Sequence, residues 1–412
     1  MSGAPVILHE TTPGATAAVG AWVRCGSADE PGELAGVTHL LEHLLLRRCG
    51  ARTPEAIAEL TDSLGGSVDA FTTREVCAVT AHVPVERREE AADLVLDAVL
   101  RPVVRADELE LERSVVGAEF DLVQDSPAEV VAELALQACW GSHPLARPVL
   151  GRREVVERLS VSDLARYHRA RFGPGNLVLV AVTPPGVPLP RAFARAGRCR
   201  LGAERAAHRP PAWRSGVLVE ERDGIEQVYA NLVLPGVPAD HPDIYALGVL
   251  HQLLGGGASS RLFRELRDRL GLVYEVSTSV YAAAPAGVLE IVFSAPARQF
   301  GACWGALLGV LAEVGAGGVS EREIELARQA LLAGVVLGAE GADALMEAHA
   351  GEWLARHRRF DAAVVRRELE AITPERVRAL ARRTVRLEKV AGALCGPRGG
   401  IVLPAAVRRL ES

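Results

Sequence analysis

Three of five consecutive residues in the run THLLEHLLLRR (38–48) carry functional groups: His39, Glu42 and His43, inside an otherwise apolar stretch. On a helix, positions i, i+3 and i+4 share one face. The two imidazoles and the carboxylate can therefore converge on one point. Two neutral imidazole nitrogens one turn apart suit Zn²⁺, which prefers tetrahedral coordination by nitrogen, sulfur and carboxylate oxygen. A carboxylate beside them that is not itself a ligand can take a proton from an attacking water. A catalytic zinc needs a third protein ligand, and the run ADELELERSVVGAEFDLVQDSP (106–127) offers two. Glu112 and Glu119 are seven residues apart, two turns along one helix face. One can complete the metal shell while the other orients a ligand from behind. Each residue also has a plain structural reading: histidines satisfied in a core, and a glutamate on a solvated helix face.

The elements that must hold these groups are legible around them. Leu34, Val37, Leu41, Leu44 and Leu45 give the motif apolar cover, and Leu109, Val116, Phe120 and Val123 mark an amphipathic helix under the two glutamates. The order of elements then repeats. Strand-like runs at 15–26 and 226–236 open the two halves, and a helix followed by a β-rich run closes each, at 159–182 and 371–396. Ser162 and Thr373 suit the N-caps of the closing helices, with Pro374 in a first turn. Between the ends, 106–119 matches 321–334 at an offset of 215, and a Pro- and Arg-rich run at 183–213 separates the halves. The expected fold is α+β, with two homologous domains, each a mainly antiparallel sheet packed with helices. They would span 1–185, the zinc-binding domain, and 214–412, a copy lacking the zinc motif, joined by a linker at 186–213. The second copy shows what the fold needs without chemistry. At an offset of 212, HLLEH falls on HQLLG (251–255), which keeps one histidine and loses the glutamate and the second histidine. Glu112 and Glu119 fall on Ala327 and Gly334.

Bulk properties narrow the partners. A chain of 412 residues is too long for one ordinary core. A net charge of −6 leaves no basic footprint for nucleic acid or an anionic membrane surface. No run approaches the roughly 18 uninterrupted apolar residues of a membrane span, and the N-terminus lacks the basic and apolar regions of a secretory signal. Seven scattered cysteines with no C-x-x-C pair read as free thiols in a reducing compartment, so a cytoplasmic location is expected. The triple glycine in LLGGGASS lacks the lysine and spacing of a phosphate-binding loop.

The order H-x-x-E-H inverts the commoner H-E-x-x-H and is the inverzincin signature. Glu119 follows His43 by 76 residues, with Glu112 seven residues before it. On these landmarks the chain resembles the pitrilysin family of zinc metallopeptidases, in the smaller subfamily similar to mitochondrial processing peptidase. SHPLARPVLGRREVVERLS (142–160) and LLGGGASSRLFRELRDRLGLVYEVS (253–277) also look like segments of that family. The resemblance implies zinc ligands at His39, His43 and Glu119, Glu42 as general base, and Glu112 as a catalytically important carboxylate behind the ligands. It implies that Arg267 and Tyr274 bind the substrate main chain and stabilise the oxyanion. It also implies that SVDAFTTREVCAVTAHVP (67–84) holds a substrate-binding edge strand, through Asp69, Ala70, Phe71 and Thr72, to which a peptide adds as a further strand. Asp69 stands where many relatives carry Asn, LLRRCGAR follows the second histidine in place of the usual small-residue turn, and Ala118 replaces a residue that is often charged. The activity implied is that of a zinc metalloendopeptidase acting on peptides or unfolded leader segments inside a closed chamber. Because one chain carries both the zinc set and the Arg/Tyr pair, a homodimer is favoured over a heterodimer with a related subunit. The alternative is a non-catalytic or partner-dependent subunit of a heterodimeric processing peptidase.

Overall fold

The computed structural model describes residues 6–196, 207–401 and 410. Five strands, β1 (Val6–Thr11), β2 (Thr16–Val23), β3 (Ser67–Thr72), β4 (Cys77–Pro84) and β5 (Leu177–Thr183), form one sheet in the order β1-β5-β2-β4-β3. A second sheet holds β6 (Gly216–Arg222), β7 (Gln227–Pro235), β8 (Val276–Ala282), β9 (Gly287–Pro296) and β10 (Ala391–Pro397), in the order β6-β10-β7-β9-β8. In each sheet the first strand runs parallel to the last and every other pairing is antiparallel. The repeat seen in the sequence is thus a repeat of topology, and the fold is α+β with two homologous sheets.

The central strands explain where the helices go. β5, LVLVAVT, is buried along its whole length, and β2 is buried at every position after Thr16. Strands with both faces buried need cover on both sides of the sheet. On one face Val19, Ala21, Val23, Leu179 and Ala181 join the core shared by helices Val37–Leu45 and Arg88–Leu100. On the other, Trp22, Val178, Val180 and Val182 meet Ala342, Met346 and Ala350 of helix Ala342–Arg356. Those last three residues form an i, i+4, i+8 stripe. Conversely, helix Pro127–Trp140 lays Val131 and Ala138 on Leu218, Ala393 and Cys395 of the second sheet. The two compact units therefore do not follow chain order. One takes the chain to Asp121, Arg147–Ala207 and Leu337–Phe360; the other takes Leu122–Ala146, His208–Val336 and the chain from Asp361. Each sheet has one face covered by a helix from the opposite half of the sequence.

Two local expectations change. The segment 186–213 is not irregular throughout: Arg191–Ala196 is helical and buries Phe193 in the first unit's core. Residues 197–206 of that segment, Cys199 among them, lie outside the described residues. Thr373 caps its helix as expected, accepting from Arg376 N–H. In the first copy, however, the cap is Ser160 and not Ser162, because Asp163 returns a hydrogen bond to the Ser160 backbone and closes a capping box. The six described cysteines are buried. Among the described residues no single helix is long and apolar enough to cross a membrane.

Candidate metal centre

The helix Val37–Leu45 starts abruptly at Gly36, whose φ of 99° is left-handed. A Cβ there would sit 2.5 Å from the Leu150 carbonyl oxygen, so only glycine fits. Glycine has no side chain with which to cap the helix. The buried carboxylate of Glu30 does so from six residues upstream, accepting from Gly36 N–H at 2.7 Å and Thr38 N–H at 2.8 Å. Burial pushes its carboxyl up to about 7, against the pull of those hydrogen bonds. Val37, Thr38, Leu40, Leu41, Leu44 and Leu45 are buried, leaving His39, Glu42 and His43 as the partly open face. Leu109 and Val116 of helix Ala106–Asp125 enter the same core, which places Glu112 and Glu119 on the side facing the histidines.

The two expected glutamates divide their roles by geometry. Nε2 of His39 lies 3.5 Å from Glu119 Oε2, and Nε2 of His43 lies 3.4 Å from Glu119 Oε1. Those separations are long for hydrogen bonds. They match the about 3.3–3.5 Å between atoms that share a tetrahedral zinc at about 2.0–2.2 Å. On its other side His43 donates from Nδ1 to Glu112 Oε2 at 3.3 Å, which leaves the Nε2 lone pair facing Glu119. Glu112 is buried, and Arg47 Nε approaches its other oxygen at 3.7 Å. Burial, helped by the neighbouring His43, pushes His39 down to about 4, so the ring is neutral and its nitrogens can ligate. The His39 and His43 rings meet edge-to-face, with centroids 4.7 Å apart.

Ligand atoms of His39, Glu42 and His43 all lie within 4.8 Å of one another, so proximity alone makes Glu42 a rival to Glu119 as third ligand. Its nearest approach is the longer one: Glu42 Oε2 is 3.9 Å from His39 Nε2, against 3.5 and 3.4 Å for Glu119. Glu42 instead accepts from Thr72 Oγ1 at 3.4 Å, and burial pushes its carboxyl upward. This donor set fits zinc, with Glu42 at hand as a proton acceptor.

Among the described residues β3 is the outer strand of its sheet, paired only with β4. Its side chains alternate as a strand must. Val68 and Ala70 pack on the core under the metal helix, Thr72 reaches Glu42, Phe71 joins the cluster on the opposite face, and Asp69 is exposed. Of the four strand residues expected to meet substrate, Thr72 reaches the candidate metal centre by its hydrogen bond to Glu42. Arg267 and Tyr274 lie together in the second unit. The guanidinium carbon of Arg267, on the π-helical segment Phe263–Arg269, is 5.4 Å from the Tyr274 ring centroid and 4.7 Å from that of Phe263. Tyr274 is 83% exposed.

Glu323 anchors the chain just before that segment. It accepts from Arg261 Nε at 2.7 Å, from Arg261 Nη2 at 2.8 Å and from Ser320 Oγ at 2.7 Å. The Arg261 guanidinium, aided by Ser320, holds its carboxyl down at about 2. A depressed carboxyl stabilises the fold above the ordinary range near 4.5 and loses that contribution as pH falls towards 2. Glu323→Gln should cost about 1–2 kcal/mol at neutral pH, discounted for the solvent on one side of the carboxylate. The deficit should shrink between pH 4.5 and 2 in urea titrations followed by circular dichroism; one that persists unchanged at pH 2 would contradict the assignment.

The second copy accounts for its retained histidine. His251 Nδ1 shares a 2.8 Å hydrogen bond with Thr278 Oγ1, which itself donates to the His251 carbonyl at 3.0 Å. Gly255, at the place of His43, leaves no room for a side chain: a Cβ would lie 2.6 Å from the Thr278 methyl carbon. That histidine is a structural strut, and the position matching His43 is closed to a side chain. Sequence reasoning missed Glu30, Thr38 and Arg47. Arg47 alone left a signal, four residues after His43 and so on the same helical face.

Comparison with known proteins follows the same division of the chain. Residues 5–153 match the family model described as insulinase (peptidase family M16), and residues 204–331 match the one described as peptidase M16 inactive domain. An uncharacterised zinc protease of Mycobacterium tuberculosis is 34% identical over 401 residues, covering 93% of this chain and 89% of its own. The mitochondrial-processing peptidase subunit beta of Caenorhabditis elegans is 23% identical, over 95% of this chain and 87% of its own. Among solved structures, a peptidase M16 inactive domain from Pseudomonas fluorescens superposes with a TM-score of 0.86 at 22% identity, covering 96% of both chains.

Proposed function

The chain belongs to peptidase family M16, and from that premise we propose that it is a zinc-dependent metalloendopeptidase hydrolysing peptides or unfolded and leader segments of precursors. The observation that carries the reading is the pair of His39 and His43 Nε2 atoms turned on one Glu119 carboxylate at 3.5 and 3.4 Å, with Glu42 beside them. His39, His43 and Glu119 would hold the metal, which supplies Lewis-acid polarisation of the scissile carbonyl when bound. Glu42 takes the proton of the attacking water on its carboxylate and hands it to the leaving amine. Thr72, donating to Glu42 Oε2, fixes that carboxylate's orientation. Glu112 holds the His43 ring through Nδ1. The free edge of β3 offers backbone donors and acceptors to an extended peptide, which selects chain conformation over side-chain identity. To Arg267 and Tyr274 we assign the substrate main chain and the developing oxyanion, for which a guanidinium fork and an exposed phenol are suited donors.

The test is digestion of a mixed library of 10- to 30-residue peptides by the purified protein, read by mass spectrometry. Internal cuts that stop on chelation and return with added zinc are expected; intact peptides with zinc bound would sink the reading for the chain alone. The similarity to a subunit named beta favours a second form of it, in which cleavage needs a related partner chain. We propose the homodimer as the working assembly, with sedimentation giving twice the chain mass. A monomer that cleaves peptides overturns that.

A further inference from the structure

We infer that Glu30 is a positioning residue for the metal helix, acting with the buried pair Thr38 and Tyr167 to fix the first turn from which His39 projects. The proposal rests on the zinc reading above but is read in metal binding, not in peptide cleavage.

Three observations converge on it. Glu30 is the cap that Gly36 cannot be, and its two oxygens hold the N–H groups of Gly36 and of Thr38, the residue before His39. A carboxylate at a helix N-terminus also meets the positive end of the helix dipole. Next, Thr38 is tied sideways: its Oγ1 is 2.7 Å from Tyr167 Oη on helix Val161–Arg171, and that hydroxyl is 3.0 Å from Cys25 Sγ at the end of β2. All four groups are buried. Burying a carboxylate and two hydroxyls costs free energy unless each is paired, and here each is paired within the chain that ends on the first turn of the metal helix.

The second copy supplies the contrast. Aligning the closing helices on their caps, Ser160 and Thr373, sets Tyr167 on Leu380. The 212-residue offset sets Thr38 on Leu250, Cys25 on Val237 and Glu30 on Pro242. Leu250 and Leu380 are buried on two helices that pack together, as the corresponding helices do in the first copy. The metal-free copy thus fills the same place with apolar side chains. Its helix, Ile244–Gly255, also runs straight through the position where the first copy breaks at Gly36. The fold needs neither the break nor the polar chain behind it. What the first copy has besides is a pair of imidazoles that must meet a carboxylate on another helix, and a few tenths of an ångström in the first turn decide whether His39 reaches it.

The experiment compares zinc affinity, by competition with a chromophoric chelator, and the visible absorption of the cobalt(II)-substituted protein for wild type and Glu30→Gln. A glutamine can accept from one N–H but presents its amide to the other. The expected result is folded protein that binds zinc at least about tenfold more weakly, with a changed cobalt spectrum. Wild-type affinity with a wild-type spectrum overturns the proposal. Should Glu30→Gln fail to fold, Thr38→Leu with Tyr167→Leu, which copies the second unit's pair, carries the test with the same expected loss and the same overturning result. If wild type binds zinc yet cuts no peptide, the proposed function falls and this inference stands; if wild type binds no zinc, both fall.

Discussion

Glu42→Gln is expected to lower kcat for peptide cleavage by about 10²–10⁴-fold while the protein keeps its zinc and its thermal midpoint. The expectation follows from where the carboxylate sits. Its nearest contact with a histidine nitrogen is 3.9 Å and it accepts a hydrogen bond from Thr72 Oγ1 at 3.4 Å, which is the placement of a group beside the proposed ligands. Glutamine preserves the volume and can still accept from Thr72, so neither packing nor the helix should change. What is removed is the ability to take a proton. Substrate binding uses other groups, so KM should move little and the loss should fall on kcat. The experiment separates two roles that proximity alone leaves equivalent. Were Glu42 a ligand in place of Glu119, the variant would lose zinc along with activity, and metal analysis of the purified variant would show it. A variant that cuts at the wild-type rate would remove Glu42 from the chemistry altogether.

How much of this was legible beforehand depends on the range of the interactions involved. His39, Glu42 and His43 could be grouped from the sequence because a helix converts a spacing of three and four into a shared face by local geometry alone. Glu112 and Glu119 followed by the same rule, and the second copy, with Ala327 and Gly334 at those places, marked them as dispensable to the fold. That the two sheets would be alike was implied by the repeat; their strand order was not. The exchange of helices Pro127–Trp140 and Ala342–Arg356 was not implied either, because the apolar stripe of each is satisfied by a sheet from the other half of the sequence, and a stripe does not say which sheet it will meet. Glu30 was invisible for a related reason. A cap normally sits beside the helix it serves, whereas this one reaches back from a loop to a glycine whose left-handed backbone no local pattern announces. Ser160 and Ser162 are equally good caps by residue type; the return bond from Asp163 chooses between them. The π-helical winding around Arg267 likewise has no signature in FRELRDR.

The second large effect divides the two glutamates of one helix. Glu119→Ala should weaken zinc binding by two to three orders of magnitude and abolish cleavage at ordinary zinc concentrations. A structural zinc bound through four protein ligands gains about 10–16 kcal/mol, so one ligand's share is about 3 kcal/mol, or somewhat over a hundredfold. Glu112→Gln should cost about ten- to a hundredfold, the usual range for a partner that only orients a ligand. The ordering rests on contacts: Glu119 faces both Nε2 atoms, while Glu112 meets the far side of one ring at Nδ1. It also runs against burial, since Glu112 is the more enclosed of the two, with its side chain 11% exposed against 35% for Glu119. If enclosure alone determined the effect, Glu112 would be the costlier loss, and the fold would suffer before the metal did. Excess zinc distinguishes the cases. Activity of Glu112→Gln should recover as zinc is raised, because all three ligands remain, whereas Glu119→Ala should stay inactive, because the metal it then holds lacks the third protein ligand that a catalytic site needs. Recovery of Glu119→Ala with Glu112→Gln left inactive would invert the assignment and make Glu112 the ligand.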